Sequence, residues 1–316
     1  AVLAAAEESL PVDPSSDAAP GYEESQRGKP GGFVGELDIM DTWATSSLTP
    51  QIAGGWERDP ELFNLVFPYD LRSQGQDIIR TWMFSTMLRA ELEHGVVPWK
   101  NAGLSGFIVD PDRKKMSKSK GNVVTPAGML EDHGSDAVRY WAASSRLGTD
   151  AAFDPQNPKQ IKIGRRLAIK ILNASKFVYS FETTDPIHIG AVKDPLDLDM
   201  LAELGIVVST ATKAYDEYDH ARALEATEQF FWTFCDDYLE LVKERAYGAA
   251  GPDGQESAVS ALRIAVDILL RLLAPVVSFA TEEVWSWTHD NSVHTASWPT
   301  PPVNAAPTGL LSLVSE

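Results

Sequence analysis

The nine residues Lys114–Asn122, KKMSKSKGN, determine the fold class that the sequence predicts. They hold four lysines and two serines, and they end in glycine and asparagine. Such a run cannot be buried, because each ammonium group would need a partner. It follows the apolar residues Phe107–Val109 and the turn-forming Asp110-Pro111-Asp112, which predicts a loop that leaves a strand. A cationic loop at a strand end suits a polyphosphate whose charge changes during a reaction.

The residues before this loop predict one unit of a parallel α/β sheet. Leu62–Phe67 is a short apolar run and predicts a strand. Asp77–Glu93 has apolar residues at helical spacing, and His94-Gly95 is a typical helix end. Leu104–Val109 predicts the next strand. Strand, helix and strand at this spacing are typical of a parallel sheet with a crossover helix.

The remainder of the chain is predicted to be helical. Thr125-Pro126 predicts a helix start, Gly134 its end, and Ser135 the cap of a further helix that reaches about Ser145. Beyond Lys162, loops of Pro, Gly and Asp separate the helical patterns, which predicts an antiparallel bundle over residues 166–290. The expected segments lie near 162–181, 197–217, 219–247, 258–273 and 275–288.

The composition is that of a globular protein. Of 316 residues, 44% are hydrophobic and 23% are charged. No run approaches the roughly 18 apolar residues that span a bilayer, and no basic lead of a signal peptide is visible. The single cysteine, Cys235, excludes an internal disulfide and a multi-cysteine zinc site. We therefore expect a protein of the reducing cytoplasm without a membrane partner or a protein-bound metal.

The charge is distributed unevenly along the chain. The formal net charge is −18, but residues 107–176 hold 13 Lys and Arg against 7 Asp and Glu, a local charge of +6. The rest of the chain holds 14 against 38, or −24. A basic segment within an acidic protein can still guide a polyanion to one face.

Several motifs, in their order along the chain, resemble those of the valine branch of the class I aminoacyl-tRNA synthetases. Lys115–Ser119 matches the KMSKS signature of that class letter for letter. The likeness runs from about Gly31 to Pro299, nearly the whole chain. The other motifs are DIMDTWATSS (38–47), FPYDLR (67–72), GQDIIRTW (75–82), SGF (105–107), GSDAVRYW (134–141), GRRL (164–167), LNASKF (172–177), LAP (273–275) and TEEVW (281–285).

The resemblance implies roles for particular residues at the nucleotide. Lys115 and Lys118 would be catalytic and hold the β- and γ-phosphates of ATP as pyrophosphate leaves, with Lys118 the stronger candidate. Donors aimed at developing charge contribute a few kcal/mol each. The other implied ATP-binding residues are Ser117, Ser119, Gly75, Asp77, Ile108 and Val109. From spacing alone, an ordinary loop that ends in an Asp helix cap is the preferred interpretation of Gly75-x-Asp77.

The resemblance also implies a valine pocket and a tRNA surface. Trp43, Ile78 and Trp82 would line the pocket, although plain core packing explains the two tryptophans equally well from spacing. The implied tRNA surface is a basic stripe that would contact phosphates, which position RNA without reading its sequence. Its alternative is a solvated helix face. The candidates in this stripe are Arg139, Arg146, Arg165, Arg166 and Lys170. Aromatic residues in 230–238 are expected to pack in the core, because their spacing is helical.

The resemblance covers only part of the family's architecture. The His-x-Gly-His element in the first half of the nucleotide fold and the editing domain are absent, and Ile187–Gly190 lacks the final histidine. The implied fold class is an α/β second half of a Rossmann-type nucleotide-binding fold followed by an all-α anticodon-binding bundle. Its parts would be the exit of the editing insertion (1–37), the half-fold with the KMSKS loop (38–125), a connecting stem-contact region (126–165) and the bundle (166–316).

The implied function is that of a valine–tRNA ligase, with ATP, valine and tRNA(Val) as substrates and Mg²⁺ expected with the ATP. We expect the chain to be inactive without the missing N-terminal half. An isoleucine or leucine enzyme is an alternative, but Ala44–Ser47 stands where isoleucine enzymes carry Phe-Asp-Ser-Gly, and one cysteine cannot supply their zinc site. A non-catalytic tRNA-binding remnant is the other alternative, against which the intact KMSKS run argues.

Overall fold

The computed structural model describes residues 3–38, 41–117, 121, 123, 125–183 and 187–315. Two compact units make up the chain. Unit 1 comprises residues 1–72 and 77–102, and unit 2 comprises residues 73–76 and 103–316. The fold is mixed α/β with many helices, and the described residues contain thirteen α-helices and four strands.

Unit 1 holds short helices and most of the residues of two strands. Its helices are α1 Thr42–Ser46, α2 Thr49–Ala53, α3 Pro60–Val66 and α4 Phe84–His94. The strands are β1 Tyr69–Gly75 and β2 Trp99–Ser105. Between β1 and α4 lie a 3₁₀ turn, Gln76–Ile78, and a turn of π-helix, Ile79–Met83.

Unit 2 is mainly helical. Its strands are β3 Ile108–Val109 and β4 Ala151–Ala152, which pair in parallel. Its helices are α5 Ala127–His133, α6 Ser135–Ala143, α7 Lys159–Tyr179, α8 Pro195–Asp216, α9 His220–Thr233, α10 Leu239–Ala246, α11 Gly251–Leu273, α12 Ser278–Trp285 and α13 Leu310–Ser315. A turn of π-helix, Phe234–Tyr238, joins α9 to α10.

The strand predicted at Leu62–Phe67 is wrong, because these residues belong mostly to helix α3. The Asp59 carboxylate accepts a hydrogen bond from the Leu62 backbone N–H at 3.0 Å, and Pro60 occupies the first helical position. Both are strong helix-start signals. A short apolar run does not by itself distinguish a buried helix from a strand.

The predicted order of strand, helix and strand is found, with shifted bounds. The contacts between β1 and β2 lie at increasing residue numbers on both strands. Tyr69 N donates to Pro98 O at 2.9 Å near the strand starts, and Ser105 Oγ donates to Gln74 O at 3.3 Å near the strand ends. Strands that run in the same direction give this order of contacts. Gly95, with φ of 68°, ends the connecting helix as predicted. The strand expected over residues 104–109 is instead interrupted between β2 and β3.

The helical segments predicted beyond Lys162 all form, as α7 to α12. Their packed faces make one core, in which Leu167, Met200 and Leu262 are fully buried. The aromatic residues of 230–238 are also in this core apart from the half-buried Trp232, so the expectation of core packing is confirmed. The expected Ser135 cap is wrong: Gly134 occupies the cap position with φ of 83°, and Ser135 is the first residue of α6.

Candidate functional site

The lysine run begins at a tight hairpin that follows β3. Asp110 closes the turn through its backbone, which donates to Lys114 O at 2.9 Å, and through its carboxylate, which accepts from Lys114 N at 2.8 Å. Lys115 then pairs with Val109 as an antiparallel bridge. The described part of the run is thus a loop at the end of a strand, as the sequence predicts.

The Lys115 side chain is exposed and lies against an aromatic ring. Its Nζ atom is 4.0 Å from the centroid of the Phe107 ring. A cation–π contact at an exposed position contributes about 0.5–1 kcal/mol and orients the ammonium group. Ser117 is half-buried. The predicted residues Lys118 and Ser119 lie outside the described residues.

Met116 fixes the start of the run to the helices of unit 2. It packs against a small buried cluster of Ala137, Phe153 and Ile161. An apolar side chain between lysines therefore has a structural reason, since it gives the start of the run a partly buried anchor. A methionine within a cationic run is visible in the sequence, but the residues against which Met116 packs could not be predicted from it.

Four predicted nucleotide contacts are found in two places along the chain. Val109 is buried in β3, whereas Ile108 beside it is exposed. Gly75 is the last residue of β1, and Asp77 lies exposed in the 3₁₀ turn that follows. Gly75 therefore lies at the end of a strand in a parallel sheet, where ligands bind in such folds, and its contact with ATP stays a prediction. Asp77 is inside the turn and does not occupy a cap position.

The predicted valine pocket contains two tryptophans in different surroundings. Trp82 is only 3% exposed, and its Nε1 donates to Ser46 O at 2.9 Å. Its ring stacks on Trp99, with centroids 5.6 Å apart, and Arg72 Cζ lies 4.0 Å from it. Trp82 is therefore a core residue of unit 1 that offers little surface to a ligand. Burial also lowers the pKa of Arg72.

Trp43 and Ile78 are the more accessible members of the predicted pocket. Trp43 lies on α1 and is 41% exposed, and Ile78 is half-buried at the end of the 3₁₀ turn. Asp41 caps α1 by accepting a hydrogen bond from Trp43 N at 3.0 Å. This cap fixes the start of the helix that carries the exposed indole.

Two of the predicted tRNA-binding arginines bind backbone carbonyls at helix ends. Arg139 on α6 donates to Val276 O at 3.0 Å and to Pro275 O at 2.8 Å, just after α11. Arg165 on α7 donates to His133 O at 2.9 Å, at the last residue of α5. Cations at helix C-termini satisfy free carbonyls and complement the helix dipole. These contacts give both arginines a structural role.

In the described part of the chain, the other three predicted tRNA-binding residues contact side chains and not backbone carbonyls. Arg146 Nη2 lies 3.3 Å from a carboxylate oxygen of Glu225, and both side chains are exposed. Lys170 and Arg166 both lie near the Trp232 ring, at 5.9 and 5.2 Å from its centroid. Exposed ion pairs and exposed cation–π contacts contribute little to stability, about 1 kcal/mol or less each, so these contacts cost little to break.

Lys170 also pairs with an acidic residue of the π-helical turn. Its Nζ donates to Asp236 Oδ1 at 2.8 Å, and this hydrogen bond raises the pKa of Lys170. The lysine therefore stays cationic well above neutral pH, as a phosphate contact requires.

One close helix contact explains a glycine in the GRRL motif. A Cβ atom on Gly164 would lie 2.5 Å from the Cβ of Tyr140, so α6 and α7 can approach this closely only with glycine there. The Tyr140 hydroxyl donates to Glu228 Oε2 at 2.6 Å, and burial raises its pKa. The motif therefore sets the spacing between α6 and the helical core.

The described residues contain no group of three or more His, Cys, Asp or Glu side chains that could hold a metal ion. In the same part of the chain, every helix is too short or too polar to cross a membrane.

Comparison with known proteins agrees with the motifs. The profile "tRNA synthetases class I (I, L, M and V)" matches residues 14–154, and "Anticodon-binding domain of tRNA ligase" matches residues 197–314. The valine–tRNA ligase of Leifsonia xyli subsp. xyli is 72% identical over 93% of the chain. The chain belongs to the class I aminoacyl-tRNA synthetase family. The valine–tRNA ligases of Thermobifida fusca and Cutibacterium acnes are 66% and 56% identical, over 93% and 98% of the chain.

This class I synthetase chain spans about a third of the length of these relatives, 34% of the first and 33% of the second. The predicted valine branch is confirmed at the level of the family, over the isoleucine or leucine branch. A solved structure, LeuRS of Agrobacterium radiobacter K84 in a ternary complex with tRNA and LeuAMS, has the same fold. Its TM-score is 0.68 at 20% identity, and the match covers 89% of this chain and 38% of that chain.

Proposed function

We propose that this chain is the part of a valine–tRNA ligase that carries the KMSKS loop and the anticodon-binding domain. The reaction of the whole enzyme would join valine to ATP, giving valyl-adenylate and pyrophosphate. The valyl group would then pass to the terminal ribose of tRNA(Val), and AMP would leave. The observation that carries the proposal is the intact KMSKS run, which begins at the hairpin after β3, in a chain 72% identical to a valine–tRNA ligase.

The proposed architecture follows the parts expected from the sequence. Residues 1–37 would be the exit of the editing insertion, and 38–125 the second half of a Rossmann-type fold. The paired β1 and β2 with the crossover helix α4 support this half-fold. Residues 126–165 would contact the tRNA stem, and 166–316 would form the anticodon-binding bundle, in agreement with the profile match at 197–314.

In the proposed mechanism the lysines stabilise the charge that develops on pyrophosphate. Lys118 would contact the β- and γ-phosphates, and Lys115 would assist from its position beside Phe107. Mg²⁺ would arrive with the ATP phosphates, because this ion usually keeps waters and binds through few protein ligands. The proposed remaining contacts of ATP are Ser117, Ser119, Gly75, Asp77, Ile108 and Val109.

The proposed contacts with valine and tRNA are assigned to the predicted side chains that are at least partly exposed to solvent. Trp43 and Ile78 would face valine, and Trp82 would support the pocket from the core. For tRNA phosphates, Arg146, Arg166 and Lys170 are the candidates whose present contacts are exposed ion pairs or ring contacts. Arg139 and Arg165 would contribute positive charge near the same surface while they keep their carbonyl contacts.

Complementation of the chain tests the proposal. The remaining two thirds of the Leifsonia xyli enzyme would be produced as a second polypeptide and mixed with this chain. We expect valine-dependent ATP–pyrophosphate exchange from the mixture, and none from this chain alone. Lys118→Ala should reduce the exchange at least about 100-fold, as loss of a charge-stabilising donor does. Lys114→Ala, in the same run but paired with Asp112 at 3.4 Å, is the matched control and should have a small effect.

Retention of tRNA by the chain separates the catalytic proposal from a binding remnant. Unfractionated tRNA would be passed over the folded chain at low salt, and the retained species sequenced. Enrichment of valine acceptors together with complementation supports the ligase. Enrichment without any exchange in the mixture would instead support a non-catalytic tRNA-binding protein. Exchange by this chain alone, or with isoleucine in place of valine, would contradict the proposal.

A further inference from the structure

A cleft in unit 2 lies apart from the lysine run and from the basic residues predicted to bind tRNA. Its volume is about 520 Å³, within the range of small-molecule sites. The end of α7, residues 187–189, one face of α11 and the residues after α12 line it. Cationic and apolar side chains share its walls, which makes it a candidate for a ligand with both kinds of surface.

Arg263 on α11 is the central charge of the cleft. Its Nη2 donates to Phe181 O at 2.5 Å, and its Cζ lies 4.9 Å from the Tyr179 ring. Its Nε atom is buried and donates no hydrogen bond within the described part of the chain. The ion pairs found among the described residues do not include Arg263. A partly buried guanidinium group with spare donors and no carboxylate partner there is a ready anion site.

The second arginine of the cleft is already neutralised. Arg271 Nη2 pairs with the Asp267 carboxylate one turn earlier, and its Nη1 donates to Ser297 O at 3.2 Å. The net charge of the cleft therefore comes from Arg263. Burial lowers the pKa of Arg263, because the guanidinium group is only partly solvated. An anionic ligand would supply the missing counter-charge.

Two histidines and a hydroxyl group add donors around this charge. His188 and His289 line the cleft, and Thr288 Oγ1 lies 3.0 Å from His289 Nδ1. A phosphate group has three terminal oxygens and can accept hydrogen bonds from several sides, which suits a dispersed set of donors.

The remaining walls of the cleft are apolar. Ile187, Ile264, Ile268 and Pro302 line it, so the ligand needs an apolar or planar body beside its anionic group. We infer that the cleft binds a nucleotide through its phosphate ester, with the phosphate at Arg263 and the body against the isoleucines. A free mononucleotide and a nucleotide within an RNA strand carry this same chemistry.

Equilibrium dialysis with AMP tests the inference on the chain itself. The folded wild-type chain should bind AMP saturably at low salt. Arg263→Gln should weaken that binding at least about tenfold, since it removes a charge-assisted hydrogen bond. Arg222→Gln is the matched control, because Arg222 is exposed on α9 and does not line the cleft, and it should bind AMP within about twofold of wild type.

Further variants keep the test independent of folding and of the proposed function. Arg263 also holds Phe181 O, so Arg263→Lys, which keeps the charge and a donor, should restore part of the affinity. A second arm replaces AMP with an anticodon stem–loop RNA that lacks a 5′-phosphate. If Arg263→Gln weakens binding of this RNA but not binding of AMP, the site is assigned to RNA. Failure of the complementation assay would not affect either arm.

Two outcomes would overturn the inference. One is that the folded wild-type chain binds neither AMP nor the RNA saturably. The other is that Arg263→Gln, shown to be folded by its melting curve, binds both as wild type does. Inorganic phosphate serves as a third probe: binding of phosphate as tight as that of AMP would overturn the role assigned to the apolar walls.

Discussion

Replacement of Asp197 by alanine is expected to destabilise the helical core of unit 2 strongly. Asp197 lies in the first turn of α8 and has no exposed surface. Its carboxylate accepts hydrogen bonds from Arg245 Nη1 and Nη2 at 2.7 and 2.6 Å, from Tyr238 Oη at 2.7 Å and from Ser257 Oγ at 2.7 Å. The side chain therefore joins α8 to the π-helical turn, α10 and α11.

The magnitude follows from the groups that the substitution would leave unpaired. Breaking a buried ion pair by removal of one partner costs about 3–5 kcal/mol, because the other charge stays buried. Arg245 keeps a second carboxylate, Asp194, at 3.2 Å, which places the expected loss near the lower end of that range, about 3 kcal/mol. This is a large part of the roughly 5–15 kcal/mol by which a domain is stable.

Urea denaturation followed by circular dichroism measures the loss as a lower midpoint at unchanged slope. Asp236→Ala is the matched control, because Asp236 forms an exposed ion pair with Lys170 and should cost at most about 1 kcal/mol. The double variant Asp197→Leu with Arg245→Met should recover stability relative to Asp197→Ala, since it removes the buried guanidinium group together with the buried carboxylate. Asp194 loses its ion pair in this variant, but its side chain is 34% exposed and still accepts a hydrogen bond from Leu196 N at 2.9 Å. The reasoning would be refuted if Asp197→Ala and Asp236→Ala shifted the midpoint equally.

Two further predictions concern titratable groups. Burial raises the pKa of the Cys235 thiol to about 12, so we expect no labelling by an aromatic disulfide reagent at pH 8 in native buffer and complete labelling in urea; fast native labelling would contradict this. Burial alone would raise the pKa of Asp199, but hydrogen bonds from Leu311 N and Thr308 lower it below its ordinary value. The stability this adds is present above about pH 4 and is lost as the pH falls through the folded-state pKa. Hydrogen-exchange protection of α13, relative to α11, should therefore fall on acidification, and an unchanged ratio down to pH 2.5 would disprove it.

The helices beyond Lys162 could be predicted from sequence because the signals for them are local. Apolar spacing of 3.6 residues and loops of Pro, Gly and Asp need no knowledge of distant partners. The same holds for the end of α4, where the predicted Gly95 adopts the left-handed conformation. At Leu62–Phe67 two local signals disagreed. The apolar run predicted a strand, whereas Asp59 as a cap and Pro60 at the first helical position indicated a helix, and the structure has the helix.

The parts of the candidate site that were not predicted depend on partners far away in sequence. Nothing in the motifs distinguishes Trp43 from Trp82, yet one is exposed and the other stacks on Trp99. Arg139 was expected to face RNA, but its acceptors lie 137 and 136 residues away. No sequence motif marks Arg263 as a candidate binding residue, because its contacts are with Tyr179 and Phe181, which lie about 80 residues earlier in the chain.

Helix α6 connects the start of the lysine run to the helical core, and this explains why both belong to unit 2. Ala137 lies in the cluster that anchors Met116, while the preceding Asp136 accepts hydrogen bonds from Phe279 N and Ala280 N at 3.0 and 2.8 Å and so caps α12. Arg139 on the same helix binds the carbonyls after α11. Within nine residues, α6 thus fixes its position against two core helices and supplies part of the apolar surface on which the lysine run begins. The start of the lysine run is therefore held in place by the same packing that stabilises the helical core, and substitutions that loosen α6 should affect both together.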